Sequence, residues 1–278
     1  MIDTSFYNYA LFGNPIKNSL SPLVHNFFKN ETGILHNYKS ILTPLDSFKK
    51  EVDLFFLNHG VGANVTSPFK KNAYLYANKL TKKAIISKSV NTLFKKNDVI
   101  IGDNTDGIGL LYDLIRLKYI NKKNNILILG SGGAAKGIIP ALIDFDCNIF
   151  IYNRTVLHAI NLINQFNSIG KIKLLNMCYE KDIFFNLVIN TCPYSYSKKL
   201  NCIPEKFFSN RSFFYDICYL YNKDTIFIDW CKKKGAKYIS NGLGMLVSQA
   251  AYSFFLWHKI FPNIDRTIEK LLNNIQTK

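Results

Sequence analysis

The sequence predicts an α/β protein of two domains, because strands and helices alternate along most of the chain. Short apolar runs at 38–42 and 62–66 flank a helical stretch at 45–57, and this alternation is typical of a mostly parallel sheet. A second alternating region begins at the apolar run 126–129, which ends in glycines. A length of 278 residues is close to the size at which a single core stops growing. We therefore expect two domains, with their boundary in a helical stretch at 109–117.

The composition is that of a folded protein with a strong positive charge. Hydrophobic residues make up 48% of the chain and charged residues 19%, which argues against disorder. The formal net charge of +16 would suit a nucleic acid, a membrane surface or small anionic ligands. The lysines are scattered at turns and helix ends, without a zinc-finger or RNP pattern. We therefore expect no nucleic-acid partner.

The cysteines, the histidines and the N-terminal residues indicate the cellular compartment and whether a metal site is expected. The six cysteines have no CxxC spacing and are expected to be reduced and mostly buried. The five histidines form no ligand cluster, so we expect no metal. The N-terminus lacks the pattern of a signal peptide, and no apolar run is long enough to cross a bilayer. A cytoplasmic protein that does not bind membranes is expected.

The first elements are a short strand near residues 9–12 and a helix that follows a polar turn. Ser21 precedes Pro22, and a capping hydroxyl before a residue without an amide hydrogen favours a helix that begins there. This leaves Ser19 unexplained. Two hydroxyls beside the free amides of a helix start could instead hold a carboxylate.

Polar side chains follow the strand at 62–66, and open α/β sheets bind ligands at the carboxyl ends of their strands. Lys70 stands in this cluster, although a solvated surface lysine is the simpler interpretation from the local sequence alone. The next two strands, 89–94 and 99–102, are predicted to form a hairpin. It leads to Thr105 and Asp106, either of which could simply cap the helix that follows.

The second region is organised around a glycine-rich turn. Gly130, Gly132 and Ala135 have the spacing GxGxxA, which lets backbone amides approach a pyrophosphate at a helix N-terminus. The motif is weak by itself, since a tight connection between a strand and a helix also needs glycines. A second apolar run at 149–152, after a helical stretch of suitable length, favours a dinucleotide-binding unit.

The residues after that second strand indicate which dinucleotide binds. Asp or Glu at this place would bind the ribose 2′-hydroxyl of NAD, but the chain has Asn153, Arg154 and Thr155. An arginine with neutral neighbours suits a 2′-phosphate, so we predict NADP(H). The alternative is a solvated surface arginine.

The rest of the chain completes the alternating sheet with a helix at 156–166, strands at 187–191 and 213–217, and a helix at 225–234. The last segment is an apolar helix that carries one conspicuous polar side chain, Gln249. Gln249 could be a buried glutamine bonded to backbone or a contact to a ligand.

Taken together, a series of motifs resembles the shikimate dehydrogenase family in order and spacing over nearly the whole chain. The motifs are Gly13-Asn14-Pro15-Ile16 with Ser19-x-Ser21-Pro22, Asn64-Val65-Thr66-x-Pro68-Phe69-Lys70, Val90-Asn91-Thr92, Gly102-Asp103-Asn104-Thr105-Asp106-Gly107, the glycine turn, Asn153-Arg154-Thr155, and Gly242-Leu243-Gly244-Met245-Leu246-Val247-x-Gln249-Ala250-Ala251. One such match would be a coincidence, but the set is highly specific.

This resemblance implies a substrate-binding and catalytic domain at 1–106 and a Rossmann-type NADP-binding domain at 107–241. It also implies C-terminal helices at 242–278 that pack back on the first domain. The implied reaction is the reversible reduction of 3-dehydroshikimate to shikimate by NADPH, in the biosynthesis of aromatic amino acids. The implied partner is this small-molecule substrate, and a monomer or homodimer is expected.

Roles for individual residues follow from the same resemblance. Lys70 and Asp106 are implied as the catalytic pair at the reacting oxygen. The implied substrate-binding residues, besides these two, are Ser19, Ser21, Asn64, Thr66, Asn91, Tyr219 and Gln249. The implied cofactor-binding residues are Gly130, Ser131, Gly132, Gly133, Ala134, Asn153, Arg154, Thr155, His158, Ile217 and Gly242. Hydride delivery to a carbonyl leaves an alkoxide, and an ammonium such as that of Lys70 both stabilises that charge and donates a proton.

Several positions depart from the family pattern, and one of them bears on the cofactor preference. His158 stands where a second phosphate-binding arginine is common, and a histidine carries positive charge only under mildly acidic conditions. We therefore expect a weaker or pH-sensitive preference for NADP.

Two alternative functions remain open. One is a quinate or dual quinate/shikimate dehydrogenase, whose substrate would need room beside Thr66 and Ser67. The other is a non-catalytic protein that binds NADP or nucleic acid. Retention of Lys70 and Asp106 argues against the non-catalytic alternative.

Overall fold

A computed structural model describes residues 8–175, 183–192 and 208–276. The chain divides into two compact units, each with its own sheet. Unit 1 contains Met1–Gly109 and Leu246–Lys278, and unit 2 contains Leu110–Met245. The chain therefore passes from one unit to the other twice.

Unit 1 is built on a six-stranded sheet, counted over the described residues. Its strands are β1 (Tyr9–Gly13), β2 (Tyr38–Leu42), β3 (Gly62–Val65), β4 (Lys79–Leu80), β5 (Thr92–Lys96) and β6 (Val99–Asp103). The strand order is β2-β1-β3-β5-β6-β4, and only β5 runs antiparallel to its neighbours. The carboxyl ends of β1, β3 and β6 and the amino end of β5 consequently lie along one edge of the sheet.

Helices and aromatic side chains cover this sheet. The helices assigned to unit 1, in whole or in part, are α1 (Ser21–Thr32), α2 (Phe48–Leu57), α3 (Lys70–Tyr76), α4 (Lys82–Ser87), α5 (Asp106–Arg116), α9 (Leu243–His258) and α10 (Ile264–Gln276). Phe12 on β1 packs edge-on against Phe48 and Phe55 of α2, with ring centroids 6.3 and 5.6 Å apart. Burial of each such ring stabilises the fold by roughly 2–3 kcal/mol.

The predicted hairpin is confirmed, and its turn explains its register. Strands β5 and β6 are joined by Asn97 and Asp98, which both have positive φ angles, 49° and 59°. Two central residues with positive φ match the right-handed twist of the strands, and Asn and Asp tolerate this conformation better than most side chains. The hairpin pairs Thr92 with Asp103, and the carbonyl of Asp103 accepts the amide of Asn91 at 3.1 Å.

The start of α1 differs from the prediction that Ser21 caps the helix. The N-cap is Leu20, in αR conformation and without a side-chain cap, so the helix begins one residue earlier than predicted. The amide of Ser21 then needs an acceptor, and the Oγ of Ser19 accepts it at 3.2 Å. The Ser19 hydroxyl, which the capping argument left unexplained, therefore takes part in the helix start.

Three histidines form a chain of neutral rings at the β1–β2 side of unit 1. Nε2 of His36 lies 2.9 Å from Nδ1 of His25, and Nδ1 of His36 lies 3.0 Å from Nε2 of His258. The ring of His25 stacks on Tyr38, with centroids 3.9 Å apart. Burial lowers the pKa of His25 to about 3 and lowers the pKa of His36 and His258 as well. The three rings are therefore uncharged at neutral pH.

Unit 2 is built on a parallel sheet that is also six-stranded among the described residues. Its strands are β7 (Asn125–Leu129), β8 (Asn148–Tyr152), β9 (Ile172–Leu174), β10 (Leu187–Asn190), β11 (Phe213–Asp216) and β12 (Tyr238–Asn241). The order β12-β11-β10-β7-β8-β9 reverses beside β7, which is where doubly wound sheets bind dinucleotides. The helices that follow β7, β8 and β11 are α6 (Gly133–Asp144), α7 (Val156–Phe166) and α8 (Ile226–Lys233). The predicted α/β fold class is confirmed.

Two remaining predictions concern membranes and thiols. Within the described parts of the chain, no helix is long and apolar enough to cross a membrane. Cys147 and Cys231 are free and buried, as predicted, whereas Cys192 and Cys218 are free but partly exposed. Cys178 and Cys202 lie outside the described residues.

Candidate active site

Lys70 and Asp106 form an ion pair at the common edge of the unit 1 sheet. Lys70 is the first residue of α3, which follows β3, and Asp106 is the first residue of α5, which follows β6. The Nζ of Lys70 donates to Oδ2 of Asp106 at 2.6 Å. The Lys70 side chain is 19% exposed and that of Asp106 is 6% exposed. The ammonium is thus held in place and still reaches the surface, as a proton donor to a ligand requires.

Asn91 fixes the other side of the Asp106 carboxylate. Its Nδ2 donates to Oδ1 of Asp106 at 2.8 Å, so both carboxylate oxygens have partners. Its Oδ1 accepts the amide of Thr105 at 2.9 Å, which ties Asn91 to the loop before α5. The carboxylate therefore cannot rotate without breaking a buried hydrogen bond.

Gln249 joins this cluster from α9. Its Oε1 accepts from Nδ2 of Asn91 at 3.2 Å, while its Nε2 donates to the carbonyl of Leu246 at 2.8 Å. A Cβ added to Gly109 on α5 would lie 2.6 Å from the backbone nitrogen of Gln249, so the two helices approach closely because position 109 is glycine. Gln249 is thus bonded to backbone, as one of its two interpretations has it, and through Asn91 it also borders the Lys70–Asp106 pair.

Asn64 is placed beneath the cluster and is fully engaged by the protein. It is 5% exposed, accepts from the hydroxyl of Tyr38 at 2.9 Å, and donates to Oγ of Ser253 at 2.9 Å. It also donates to the hydroxyl of Thr92 at 3.2 Å. These hydrogen bonds hold together the side chains that surround Asn64. The sequence alone did not distinguish such a structural role from contact with the substrate.

Several supporting side chains were missed by the sequence analysis. The hydroxyls of Thr92 and Ser253 lie 2.8 Å apart, and that of Thr105 accepts from Asn91 at 2.9 Å. One signal was available for Ser253, which follows Gln249 by four residues and so shares its helix face. No comparable pattern singled out Thr92.

The remaining substrate-binding candidates are divided between the units. Ser19 and Ser21 follow β1, and Thr66 follows β3, so these three lie along the same sheet edge as Lys70. Ser21 is buried, whereas Ser19 and Thr66 are partly exposed. A Cβ on Gly13 would clash with the side chain of Thr66, so glycine at this position makes room for Thr66. Tyr219, in contrast, belongs to unit 2.

The glycine turn of unit 2 forms an open cradle at the end of β7. Gly130 has a φ of 103°, and a Cβ there would lie 2.7 Å from the hydroxyl of Thr191, so both conformation and space require glycine. Gly132 caps α6 without a side-chain hydrogen bond, and Cβ atoms on Gly132 or Gly133 would meet no atom of the described residues within 4 Å. Uncapped amides facing open space at a helix N-terminus fit a pyrophosphate. Ser131 and Ala134 complete this turn.

The predicted phosphate-binding residues follow β8, the strand next to β7. Asn153 donates from Nδ2 to the carbonyl of Thr155 at 2.9 Å, and Thr155 is the N-cap of α7. Arg154, Thr155 and His158 are exposed at the start of that helix. Because β7 and β8 are parallel, this cationic turn borders the same edge as the glycine cradle. The arrangement fits a 2′-phosphate on a ribose.

Ile217 and Gly242 follow β11 and β12 at this edge as well. A Cβ on Gly242 would clash with the carbonyl oxygen of Ile217, so the close approach of the two segments requires glycine. The amide of Gly242 donates to the carbonyl of Cys218 at 3.2 Å. In the part of the chain that the structure describes, no group of His, Cys, Asp or Glu is arranged to hold a metal.

Comparison with known proteins places both units in one family. A family model described as shikimate dehydrogenase substrate binding domain matches residues 11–93, and one described as shikimate / quinate 5-dehydrogenase matches residues 116–219. The shikimate dehydrogenase (NADP(+)) of Buchnera aphidicola subsp. Schizaphis graminum is 52% identical over 266 residues, which cover 95% of this chain and 97% of that protein. The protein of the same name from Buchnera aphidicola subsp. Baizongia pistaciae is 44% identical, with 98% of each chain covered.

A solved structure agrees in fold over the same extent. The crystal structure of shikimate 5-dehydrogenase from Thermus thermophilus, in complex with NADP(H) and shikimate, matches with a TM-score of 0.83 at 26% identity. The match covers 95% of this chain and 97% of that chain. With the sheet-edge ion pair, the glycine cradle and these relatives in agreement, the chain belongs to the shikimate dehydrogenase family.

Proposed function

We propose that this protein reversibly reduces 3-dehydroshikimate to shikimate with NADPH, a step in the biosynthesis of aromatic amino acids. The observation that carries the proposal is the Lys70–Asp106 pair, bordered by Asn91 and Gln249. The 52% identity to a relative named shikimate dehydrogenase (NADP(+)) supports both the reaction and the cofactor. The Thermus relative, crystallised with NADP(H) and shikimate, supports the same substrate.

Lys70 acts as the general acid in the direction of reduction. The nicotinamide of NADPH supplies a hydride to the ring carbonyl when bound. The carbonyl oxygen then carries developing negative charge, which the Nζ ammonium of Lys70 stabilises and protonates. In the reverse direction the neutral amine accepts the hydroxyl proton.

Asp106 orients this ammonium. Its Oδ2 accepts from Lys70 at 2.6 Å, and its Oδ1 is held by Asn91 at 2.8 Å. A fixed carboxylate selects one direction for the Lys70 side chain, which otherwise has four rotatable bonds. Asp106 also accepts from the substrate hydroxyl in our proposal, with little proton transfer of its own.

The remaining polar residues are proposed to bind the ring substituents. Ser19 and Ser21 bind the ring carboxylate, because two hydroxyls at a helix start suit an anion. Thr66, Asn91 and Gln249 bind ring hydroxyls. Asn64 and Tyr219 remain in the proposed substrate-binding set, although the bonds of Asn64 to Tyr38 and Ser253 favour a supporting role for it.

Unit 2 is proposed to bind NADP(H). The turn from Gly130 to Ala134 holds the pyrophosphate, and Asn153, Arg154, Thr155 and His158 bind the 2′-phosphate and its ribose. Ile217 and Gly242 border the nicotinamide. The open space above Gly132 and Gly133 supports this assignment.

The proposal also includes the domain bounds, the compartment and the oligomeric state. We assign residues 1–106 to substrate binding and catalysis, 107–241 to NADP binding, and 242–278 to helices that belong with the first domain. The division of the chain at Gly109 and Met245 supports these bounds. We further propose a cytoplasmic monomer or homodimer without a nucleic-acid partner, and light scattering in solution measures the oligomeric state.

The decisive assay follows the reduction of NADP⁺ by absorbance with shikimate as the substrate. We expect turnover with shikimate and NADP⁺ that persists in high salt, since a nucleic-acid-binding protein would lose its function there. Absence of shikimate-dependent NADP⁺ reduction by the folded protein would contradict the proposal.

Quinate is the second candidate substrate, favoured by the description of the family model that matches residues 116–219. Its extra ring hydroxyl needs space beside Thr66 and Ser67. The same assay with quinate separates the two substrates by their kcat/KM values. Comparable values for both would make the protein a dual dehydrogenase.

A further inference from the structure

Asp216, the last residue of β11, is a buried carboxylate outside the residues considered so far. It is 1% exposed, and its hydrogen-bond donors among the described residues are all uncharged. Oδ1 accepts from Nδ2 of Asn190 at 3.0 Å and from the amide of Cys218 at 3.1 Å. Oδ2 accepts from the hydroxyl of Thr225 at 2.5 Å. A buried carboxylate that has only uncharged donors among the described residues is costly, so Asp216 calls for a function.

The contacts of Asp216 join two turns of the same shape. Asn190 and Asp216 are register partners at the ends of β10 and β11. In each turn the side-chain oxygen of the last strand residue accepts the amide two residues later, that of Cys192 at 3.2 Å and that of Cys218 at 3.1 Å. The bond between Asn190 and Asp216 ties the two turns side by side.

These two turns carry or support positions in the proposed cofactor site. Thr191, in the first turn, donates from its hydroxyl to the carbonyl of Leu129 at 2.8 Å and lies against Gly130. Ile217, in the second turn, has its carbonyl against Gly242. Asp216 is buried beneath both turns, so its effect on the cofactor would pass through them.

We propose that Asp216 is a positioning residue for NADP(H), whose carboxylate holds both turns in the binding geometry and whose protonation weakens cofactor binding. This inference rests on the proposed function, because it assumes that the glycine turn and Ile217 border the cofactor. It assigns Asp216 no contact with the cofactor and no part in proton transfer.

Electrostatics supports the pH dependence. Burial raises the pKa of Asp216 to about 6, and the hydrogen bonds from Thr225, Cys218 and Asn190 offset this only in part. Among the described residues, three thiols face it, those of Cys192 and Cys218 on the two turns and that of Cys231 on α8. Burial raises the pKa of Cys192 and of Cys231, so these two thiols stay uncharged.

Protonation would reverse one bond and weaken the others. The hydroxyl of Thr225 already accepts the amide of Ile228 at 3.2 Å as the N-cap of α8. A protonated Oδ2 would donate to that hydroxyl, and Thr225 would no longer donate to Asp216. The uncharged Oδ1 is a weaker acceptor for Asn190 and for the Cys218 amide, which loosens the tie between the turns.

Asp216→Asn tests the inference, because asparagine keeps the shape and removes the charge. The dissociation constant for NADP⁺ is measured by calorimetry at pH 7.5 and pH 5.0, so no turnover is needed. We expect Asp216→Asn to bind about tenfold more weakly than the wild type at pH 7.5, the loss typical of one charge-assisted hydrogen bond. At pH 5.0 the two proteins should bind equally, since the wild-type carboxylate is then protonated. Charge changes on the cofactor phosphate are common to both proteins and cancel in this ratio.

Three further variants guard against simple misfolding. Asp229→Asn removes an exposed carboxylate from the first turn of α8, and we expect it to bind like the wild type at both pH values. Thr225→Val removes a donor from Asp216, so the pH at which binding weakens should move upward. Thr225→Ser keeps the hydroxyl and should restore the wild-type midpoint.

The outcomes separate this inference from the proposed function. A ratio of dissociation constants near one at pH 7.5, or one that does not change with pH, would overturn the role of Asp216. Lack of shikimate turnover alongside the expected binding ratios would overturn the reaction and leave Asp216 as a positioning residue for the dinucleotide.

Discussion

At the scale of single residues, the proposed reaction depends on the ammonium of Lys70. Its partner Asp106 is held on both oxygens, whereas Lys70 has 19% of its side chain exposed. The pair therefore presents its cationic member to a ligand and keeps its anionic member inside. That asymmetry suits the protonation of an oxyanion rather than the removal of a proton from carbon.

Lys70→Ala should lower kcat by about 10²-fold or more, the usual contribution of a general acid. The dissociation constant for NADP⁺ should not change, since Lys70 belongs to unit 1 and the proposed cofactor residues to unit 2. Steady-state rates and calorimetry measure the two quantities. Lys71→Ala, at the exposed next position of α3, is the matched control and should behave like the wild type. Wild-type turnover in Lys70→Ala would remove the assignment.

His158→Arg should strengthen the preference for NADPH over NADH. A histidine beside Arg154 adds positive charge only in mildly acidic solution, whereas an arginine adds it at every working pH. In His158→Arg the ratio of kcat/KM values for NADPH and NADH should rise about tenfold at pH 8. Asn161→Arg adds the same charge at another exposed position of α7, and an equal gain there would contradict a specific role for position 158.

At the scale of elements, short sequence patterns predicted the strands, turns and helices that are determined by neighbouring residues. The strand β7, the turn at Gly130 and the helix α6 follow from an apolar run and a glycine spacing. The prediction that Ser21 is the N-cap of α1 was wrong. The N-cap is Leu20, one residue earlier, because the hydroxyl of Ser19 accepts the amide of Ser21.

Long-range hydrogen bonds could not be predicted in the same way. Asn64 bonds to Ser253, which lies 189 residues away in sequence, and Asn91 bonds to Gln249 at a separation of 158. No local periodicity records such pairs. The resemblance to a family identified Asn64 as a site residue, but only the structure separates a supporting amide from one that faces a ligand.

Gly109→Ala tests the contact between α5 and α9. The new Cβ would lie 2.6 Å from both the backbone nitrogen and the Cβ of Gln249, so one helix must move. We expect a loss of about 1–3 kcal/mol in the free energy of unfolding, the usual cost of overpacking. Because Gln249 moves with its helix, KM for shikimate should rise while NADP⁺ affinity is kept. Ile115→Ala, at an exposed position of α5, should leave that KM unchanged. Unaltered stability and KM in Gly109→Ala would show that the helices do not depend on this contact.

At the scale of the whole molecule, the response to acid is set by buried groups rather than by the net charge of +16. The pKa values of His25 and His36 are lowered in the folded state, so below about pH 6.5 the unfolded chain binds more protons than the folded chain. Stability supplied by these neutral rings is therefore present above pH 6.5 and is lost as the pH falls. Asp216 acts in the opposite sense, because its raised pKa lets the folded chain hold a proton that the unfolded chain releases.

The free energy of unfolding should consequently fall by about 2 kcal/mol between pH 7.5 and pH 5.5, with the two histidines outweighing Asp216. Urea denaturation at the two pH values measures this difference. His36→Phe should be less stable at pH 7.5 but should lose less stability on acidification. His59→Asn, at an exposed position with positive φ, should keep the wild-type difference. Equal stability of the wild type at both pH values would contradict this account.

The three-histidine chain also links the tautomers of its members. A neutral imidazole has one N–H, so each nitrogen pair along His25, His36 and His258 contains one donor and one acceptor. If Nδ1 of His25 carries hydrogen, then Nδ1 of His36 and of His258 must carry it too. If Nε2 of His258 carries the hydrogen, all three rings are of the Nε2–H form, and the buried Nε2–H of His25 then has no hydrogen-bond acceptor among the described residues. Nitrogen NMR should accordingly find one tautomer shared by all three rings, because a single reversed ring would leave two lone pairs or two hydrogens facing each other.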